Sequence, residues 1–233
     1  MPLNREVIHK PFWSLPAEEV LDVLESRAAG LQRNEVAERE EVFGKNVLVE
    51  DKDLDGVRLF FRQLKSPLIL ILIFAGSITI FLKELISAVF IFAAVFLTAI
   101  LGFYQEHKAE VSLRLLKKFI RRYALVEREG EKKKIGSENL VVGDIIHLRN
   151  GDRVPADARL IHTENLLMDQ STLTGESLPV SKHVHGVSPR APVIDQTSMV
   201  FSGSLVMDGL GKAVVTSTGE DTQLGKIISI IAS

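Results

Sequence analysis

The chain has 233 residues, 46% hydrophobic and 25% charged, and its modest glycine and proline counts (16 and 8) exclude a collagen-like or disordered polymer. Twenty-eight Lys and Arg against 30 Asp and Glu leave a net charge of −2, so no nucleic-acid partner is expected. The absence of cysteine excludes disulfides, thiolate metal sites and a cysteine nucleophile. A mean hydropathy of +0.17 is high for so charged a chain, so the apolar residues must be concentrated.

Residues 1–53 read as a small helical cytoplasmic unit. Ser14 is placed to cap a first helix, with Pro16, Glu18 and Glu19 in its first turn, Val20, Leu21 and Leu24 as its apolar stripe, and Gly30 as its end. A second short helix is predicted over 34–43, stopped at Gly44. Residues 54–122 then form an amphipathic lead-in at 57–64, two apolar runs and a charged helical stalk. The runs, 68–82 and 85–104, carry no charge and are interrupted by Lys83-Glu84. About 20 apolar residues cross a bilayer as a helix, so the second run is long enough and the first needs help from Ser66-Pro67 or its flanks. A transmembrane hairpin in contact with lipid is the reading; a buried helical hairpin of a soluble core is the alternative, disfavoured because neither run has a polar face. Arg58, Arg62 and Lys65 precede the runs and Lys108, Arg114, Lys117, Lys118, Arg121 and Arg122 follow them, with only Lys83 between. The positive-inside rule therefore puts both long flanks, and both termini, in the cytoplasm of a multi-pass plasma-membrane protein. The stalk carries Ala109, Leu113, Leu116 and Ile120 at spacings of four and three, which marks packing against a neighbour.

The character changes at Tyr123. Short β-branched runs at 123–128, 145–148, 157–161, 199–205 and 212–218 are separated by Glu129-Gly130-Glu131, Asn150-Gly151-Asp152 and Asp208-Gly209, which predicts a small antiparallel sandwich or barrel-like domain over 123–220. Residues 221–233, with a helix over 222–232, follow it. Within the β region, Asp169-Gln170-Ser171-Thr172-Leu173-Thr174-Gly175-Glu176-Ser177-Leu178-Pro179 presents one carboxylate in a tight turn. Glu176 could orient or deprotonate a water, and Gly175 would let the backbone approach another surface; an ordinary surface turn is the competing reading. His183 and His185 read as solvated loop residues and not as a metal pair.

Three segments taken together carry a family resemblance. GDRVPADARL, DQSTLTGESLPVSK and Phe201-Ser202-Gly203-Ser204 resemble the actuator domain of P-type cation-transporting ATPases. Residues 13–48 resemble the N-terminal domain of the type II cation pumps, and Ser66-Pro67-Leu68 through Glu110 resemble their first two membrane helices. Thr218-Gly219 and Thr222-Gln223-Leu224-Gly225-Lys226-Ile227 resemble the segment leading to the third, still in collinear order. Glu40, Ser204 and residues 183–196 depart from the pattern, none of them at Glu176.

The resemblance implies a distorted jelly-roll-like actuator and a catalytic set of Thr174, Gly175, Glu176 and Ser177. Glu176 would position the water that hydrolyses an aspartyl-phosphate, with Thr174 and Ser177 shaping the loop. The phosphorylated Asp-Lys-Thr-Gly-Thr motif and any Walker A sequence are absent from these residues. The chain therefore reads as the first quarter of a pump whose ATP and Mg2+ sites lie in other domains, and alone it is expected to bind neither and to be inactive. Its implied partners are the bilayer, the remaining pump domains and a transported cation, calcium being the family-level expectation. A self-standing two-helix membrane protein that regulates a partner through an actuator-like domain is the alternative.

The topology is directly testable because the chain has no native cysteine. A membrane-impermeant maleimide applied to intact cells is expected to label Lys83→Cys and to spare Ser137→Cys until the cells are opened. Labelling of Ser137→Cys from outside overturns the assignment.

Overall fold

A computed structural model of the chain describes residues 5–48, 65–119, 123–176 and 178–232, without the side chains of 109–119 and 232. The predicted lead-in at 57–64, the stalk side chains and Ser177 lie outside the described residues. Two compact units result: Met1–Glu50 together with Arg122–Ser233, and Asp51–Arg121.

The first unit is built on seven strands: β1 (Tyr123–Arg128), β2 (Glu131–Gly136), β3 (Ile145–Arg149), β4 (Asp157–Asp169), β5 (Val180–Ser181), β6 (Met199–Val200) and β7 (Leu205–Ser217). They join in the order β2-β1-β3-β7-β4-β5, with β6 also on β4, and every pairing is antiparallel. This agrees with the mainly-β expectation. β1 and β2 form a hairpin whose loop residues Glu129 and Gly130 both have positive φ (57° and 77°), the requirement of a tight two-residue turn. β2 was not expected, since its Glu131-Lys132-Lys133-Lys134 lacks the β-branched residues that mark the other strands; it is an edge strand, where lysines deter further pairing.

The long β4–β7 ladder corrects two sequence expectations. Asp208-Gly209 does not reverse the chain. It lies inside β7, opposite a register shift between Glu164 and Leu167, with Asn165 (φ 50°) and Gly209 (φ 80°) both left-handed. A Cβ on Gly209 would lie 2.3 Å from the carbonyl oxygens of Glu164 and Asn165, so only glycine fits this bulge. The predicted 199–205 strand is likewise split: Met199–Val200 pairs with β4, a turn at Gly203 (φ 88°) follows, and β7 begins at Leu205. Register shifts bend the pair, and Val126, Ile146, Leu160, Met168, Val206 and Ala213 meet in one core.

Two helices, α1 (Ala17–Val23) and α2 (Arg33–Phe43), cover the other face of this sheet. Ser14 does not cap α1: its hydroxyl bonds back to the Pro11 carbonyl and Pro16 occupies the cap position. Nor does α1 run to Gly30. It stops at Val23, and Gly30 (φ 81°) passes so close to β1 that a Cβ would collide with the Glu127 carbonyl. α2 fits its expected span, with a reciprocal Gln32–Glu35 capping box at its start and Gly44 at its end. Phe12, Val20, Leu24 and Phe43 are buried against Val142, Ile145, Met199, Phe201 and Val214, so helices and sheet share one core.

Buried cations fasten this arrangement. Arg159 on β4 is fully buried and donates to the carbonyl oxygens of Phe12 (3.0 Å), Leu15 (2.8 Å), Leu160, Val184 (2.8 Å) and Ser198 (3.4 Å). Burial lowers its pKa to about 10, still leaving the guanidinium charged. Arg39 of α2 does the same at the opposite end, donating to Val142 (2.7 Å), Leu24 (2.8 Å) and Glu25 (2.9 Å). Asn46 adds a third fastening, giving hydrogen bonds to the Ser137 and Pro155 carbonyls and accepting one from the Gly219 N–H.

The second unit is a pair of apolar helices, α3 (Pro67–Phe81) and α4 (Leu85–Phe119). Pro67 opens α3 at a position where its missing N–H costs nothing. The helices run antiparallel: Ile69 packs with Val95 and Ala99, and a Cβ on Gly76 would lie 3.0 Å from the Phe92 ring. Leu85–Lys108 is long and apolar enough to cross a membrane, whereas α3 is a shorter apolar helix. Phe74, Phe81, Phe90 and Phe96 stand exposed on this pair.

Replacing Arg159 by Met should strand several carbonyls, and a lost buried charged hydrogen-bond network of this kind costs roughly 2–4 kcal/mol. Thermal unfolding should drop by several degrees, and residues 5–48 should become cleavable by protease before the strands do. Lys at 159 should fail to rescue, because an ammonium cannot span divergent carbonyls.

Candidate functional site

The Thr174-Gly175-Glu176 segment leaves the end of β4 and returns to it. β4 ends at Asp169, and after the loop Val180 and Ser181 pair back onto Met168 and Leu167. Between them the chain makes one helical turn, α5 (Ser171–Thr174). Asp169 starts the turn by accepting the Ser171 N–H at 2.8 Å, and that hydrogen bond holds its carboxyl below the usual carboxylate range. The Gln170 carbonyl accepts from the N–H groups of Leu173 (2.9 Å) and Thr174 (3.0 Å) and from the Thr174 hydroxyl (3.2 Å). That hydroxyl in turn accepts the Glu176 N–H at 3.2 Å.

Gly175 closes the turn in the left-handed region (φ 74°, ψ −5°), its N–H on the Ser171 carbonyl. Among the described residues nothing lies within 4 Å of where a Cβ on Gly175 would be. What requires glycine here is the backbone angle. Glu176 and the neighbouring Leu178 are exposed, Leu178 at 77%. The structure therefore presents a carboxylate at the tip of a loop whose foot is held by hydrogen bonds.

The three motif segments of the sequence converge at this end of the sheet. Gly151 and Val154 donate to the Val206 and Ser204 carbonyls, while Val206 and Gly203 donate to those of Asp152 and Val154. Leu205 and Val206 pair on their other edge with Asp169 and Met168. Thus the Phe201-Ser202-Gly203-Ser204 turn opens a strand that lies between the Gly151–Asp157 segment and the foot of the Glu176 loop. Arg153 donates to the Gly203 carbonyl at 3.1 Å, and its charge contributes to lowering the pKa of Asp169.

Asp157, inside the GDRVPADARL segment, does a separate task. It is 3% exposed, and its two oxygens accept the Ser202 N–H (2.8 Å) and the Gln223 N–H (2.7 Å). The second of these is at the start of helix α6 (Gln223–Ala232), whose first turn is also capped by Thr222 through the Gly225 N–H. Burial is the largest influence on Asp157 and pushes its pKa up to about 6 against the two amide hydrogen bonds. Asp144, which follows Gly143 ahead of β3, is fully buried in a bidentate ion pair with Arg128 (2.8 and 2.6 Å). Lys182 is buried too, donating to the Gln196 carbonyl at 3.4 Å and lying over the face of Phe201, and burial lowers its pKa to about 7. Among the described residues no three His, Asp or Glu side chains gather as a metal site.

Comparison with known proteins places this geometry. Residues 118–232 match the P-type ATPase actuator domain, and residues 12–79 match the cation transporter/ATPase N-terminus. The chain belongs to the P-type cation-transporting ATPases. It is 42% identical over 94% of its length to "Probable cation-transporting ATPase F" of Mycobacterium tuberculosis. It is also 42% identical over 89% to "Calcium-transporting ATPase" of Bacillus subtilis, and 38% identical over 91% to "Calcium-transporting ATPase 1" of Lactococcus lactis. In each case it spans 24% of the relative's length.

Of the residues singled out in the sequence, Thr174, Gly175 and Glu176 share the actuator loop, and Ser177 lies outside the described residues. Sequence reasoning missed Asp157 as the clasp of α6 and Gln170 as the acceptor at the loop's foot. Gln170 had a readable signal: Leu166, Met168 and Gln170 are all at most 1% exposed, the period-two inward face of β4 continued by one residue.

The raised pKa of Asp157 fixes the sign of a pH effect. Its folded value, about 6, exceeds the ordinary 3.8, so the folded state holds the extra proton between those values. Its contribution to stability is full below about pH 4 and is lost as pH rises through 6. Melting temperatures of the unaltered chain and Asp157→Asn, taken at pH 5 and 7.5, should shift in the variant's favour at the higher pH. A gap independent of pH would refute the assignment.

Proposed function

We propose that this chain is the N-terminal part of an ATP-driven cation pump and that Glu176 acts in hydrolysing the pump's aspartyl-phosphate intermediate. The observation that carries the reading is the exposed Glu176 at the tip of a loop with a hydrogen-bonded foot, on a domain of the actuator family. Such a group can be delivered intact to a phosphorylated aspartate on another domain. There Glu176 orients a water and accepts its proton as the water oxygen bonds to phosphorus. The P–O bond to the aspartate breaks in line and the aspartate leaves as a carboxylate. Thr174 holds the Glu176 backbone, Gly175 supplies the left-handed turn, and Ser177 completes the loop.

Under the same reading, residues 1–53 form the cytoplasmic N-terminal unit and 54–122 the lead-in, membrane hairpin and stalk. Residues 123–220 are a distorted jelly-roll-like actuator, and 221–233 head toward a third membrane helix. Helices α3 and α4 span the plasma membrane with both termini cytoplasmic, supported by the basic flanks and the apolar length of Leu85–Lys108. The segments 57–64 and 105–122 transmit actuator rotation to the ion gate. ATP supplies the phosphoryl group and Mg2+ neutralises its charge, both bound by pump domains that these residues do not provide; no step assigned here runs through either. The transported cation is proposed to be calcium from the printed names of two relatives.

In the full pump, Glu176→Ala should phosphorylate normally from labelled ATP and lose the phosphate ~10²–10⁴-fold more slowly, the usual loss for a positioned base. Asp169→Asn keeps the oxygen that accepts the Ser171 N–H and should be mild. Phosphoenzyme decay at the unaltered rate in Glu176→Ala would return the residue to an ordinary turn.

A further inference from the structure

Strands β1 and β3 pair over Leu125–His147, Val126–Ile146 and Glu127–Ile145, yet they continue past that pairing to Tyr123 and Arg149. Where they part, a cleft of about 250 Å³ opens beside the Gly151–Asp157 segment. Tyr123 of β1 and Lys134 of β2 line one side; Arg149, Asp152, Arg153 and Pro155 line the other. A tight turn builds the second side, since the Arg149 N–H donates to Asp152 Oδ2 and the Asp152 N–H to the Arg149 carbonyl, each at 2.9 Å. Across the cleft, Lys134 lies opposite Leu125 with its Nζ 4.7 Å from the centre of the Tyr123 ring.

Charge sets this cleft apart from its surroundings. Elsewhere on the same sheet, carboxylates answer the cations: Asp144 answers Arg128, Glu129 and Glu131 answer Lys133, and Glu127 answers Lys212. Lys134, Arg149 and Arg153 form no ion pair among the described residues. They face a single lining carboxylate, Asp152, and one of its oxygens already accepts the Arg149 N–H. Like charges gathered in a concave site raise the local potential, and an anion between them relieves the repulsion. Two guanidinium forks match the oxygens of a phosphate, and an ammonium adds a point charge. A water molecule takes about 30 Å³ in the liquid, so the cleft has room for a phosphate's four oxygens. Tyr123, 53% exposed, and Pro155 offer apolar surface to whatever the phosphate is attached to.

We propose that the cleft between β1 and β3 binds a phosphate group, either free phosphate or that of a lipid headgroup, through Arg149, Arg153 and Lys134. Arg153 also donates to the Gly203 carbonyl at 3.1 Å, so the cleft shares one side chain with the turn behind the Glu176 loop. The site is separate from Glu176 and stands whether or not that residue handles the attacking water.

The test is calorimetric titration of inorganic phosphate into the whole chain in a neutral detergent at low ionic strength. Saturable binding at one site per chain is expected. Arg149→Gln and Arg153→Gln should each weaken it about 10- to 100-fold, the scale of one charge-assisted hydrogen bond. Lys133→Gln removes a cation that is ion-paired and does not line the cleft, and should leave binding unaltered. The exposed Arg149 keeps the test informative if Arg153→Gln, which also loses the Gly203 carbonyl, folds poorly. Two reconstitutions then separate the sources, in phosphatidylcholine vesicles given equal surface charge by phosphatidic acid or by oleate. Phosphate bound more weakly with phosphatidic acid than with oleate supports the site and assigns it to a headgroup. Equal affinity in the two supports it as a site for soluble phosphate. Absence of saturable binding in detergent overturns the proposal. Equal weakening in Lys133→Gln and Arg149→Gln also overturns it, since that is diffuse attraction to a basic surface.

Discussion

A guanidinium buried among backbone carbonyls holds the first unit together. Arg159 reaches from near the start of β4 to the main chain at Phe12, Leu15, Val184 and Ser198, segments with no continuous secondary structure in common. An arginine suits this place because its planar fork offers donors in several fixed directions and stays ionised when desolvated. The carbonyls are equally dependent on it, since a buried carbonyl without a partner is costly. The N-terminal turns, the loop after β5 and the approach to β6 thus share one anchor. Every other feature of the sheet's helical face is arranged around that anchor, including Phe12 against Phe201 and Val214.

The foot of the Glu176 loop is built on the same strand. Three motifs far apart in sequence meet because β7 begins between the Gly151–Asp157 segment and the end of β4. Asp157 ties this meeting point to α6, and Asp169 starts the turn that carries Glu176. The exit helix and the loop are therefore attached to one rigid strand, β4, at its two ends. A displacement of β4 as a body moves both.

Much of this was legible in the sequence, for reasons that can be named. β1, α2 and α6 follow from local pattern, and Gly44 and Gly175 sit at helix ends that need a positive φ. The loop bearing Glu176 was recognisable from its motif, and its glycine from turn chemistry. What could not be read was set by distant partners. Asp208-Gly209 has the composition of a turn, yet it is a bulge because Asn165 on the neighbouring strand takes a matching left-handed angle. Gly30 and Gly143 look like helix and turn punctuation. Their reason lies elsewhere in the fold, where a Cβ would strike the Glu127 carbonyl or the Arg39 guanidinium. The N-terminal helices resemble a separate domain because their sequence periodicity says nothing of the sheet that completes their core.

That shared core also orders events in time. Phe12, Val20 and Leu24 are made well before Met199, Phe201 and Val214, which bury them. At synthesis rates of about 5–20 residues per second, the interval is on the order of ten seconds or more. During it both apolar helices, α3 and α4, emerge while the earlier segment still lacks its sheet. The first helices must therefore persist as a loosely ordered, partly apolar segment until β7 arrives. The carbonyls of that segment gain their partners only when Arg159, and the Ser198 hydroxyl that donates to Trp13, have been made.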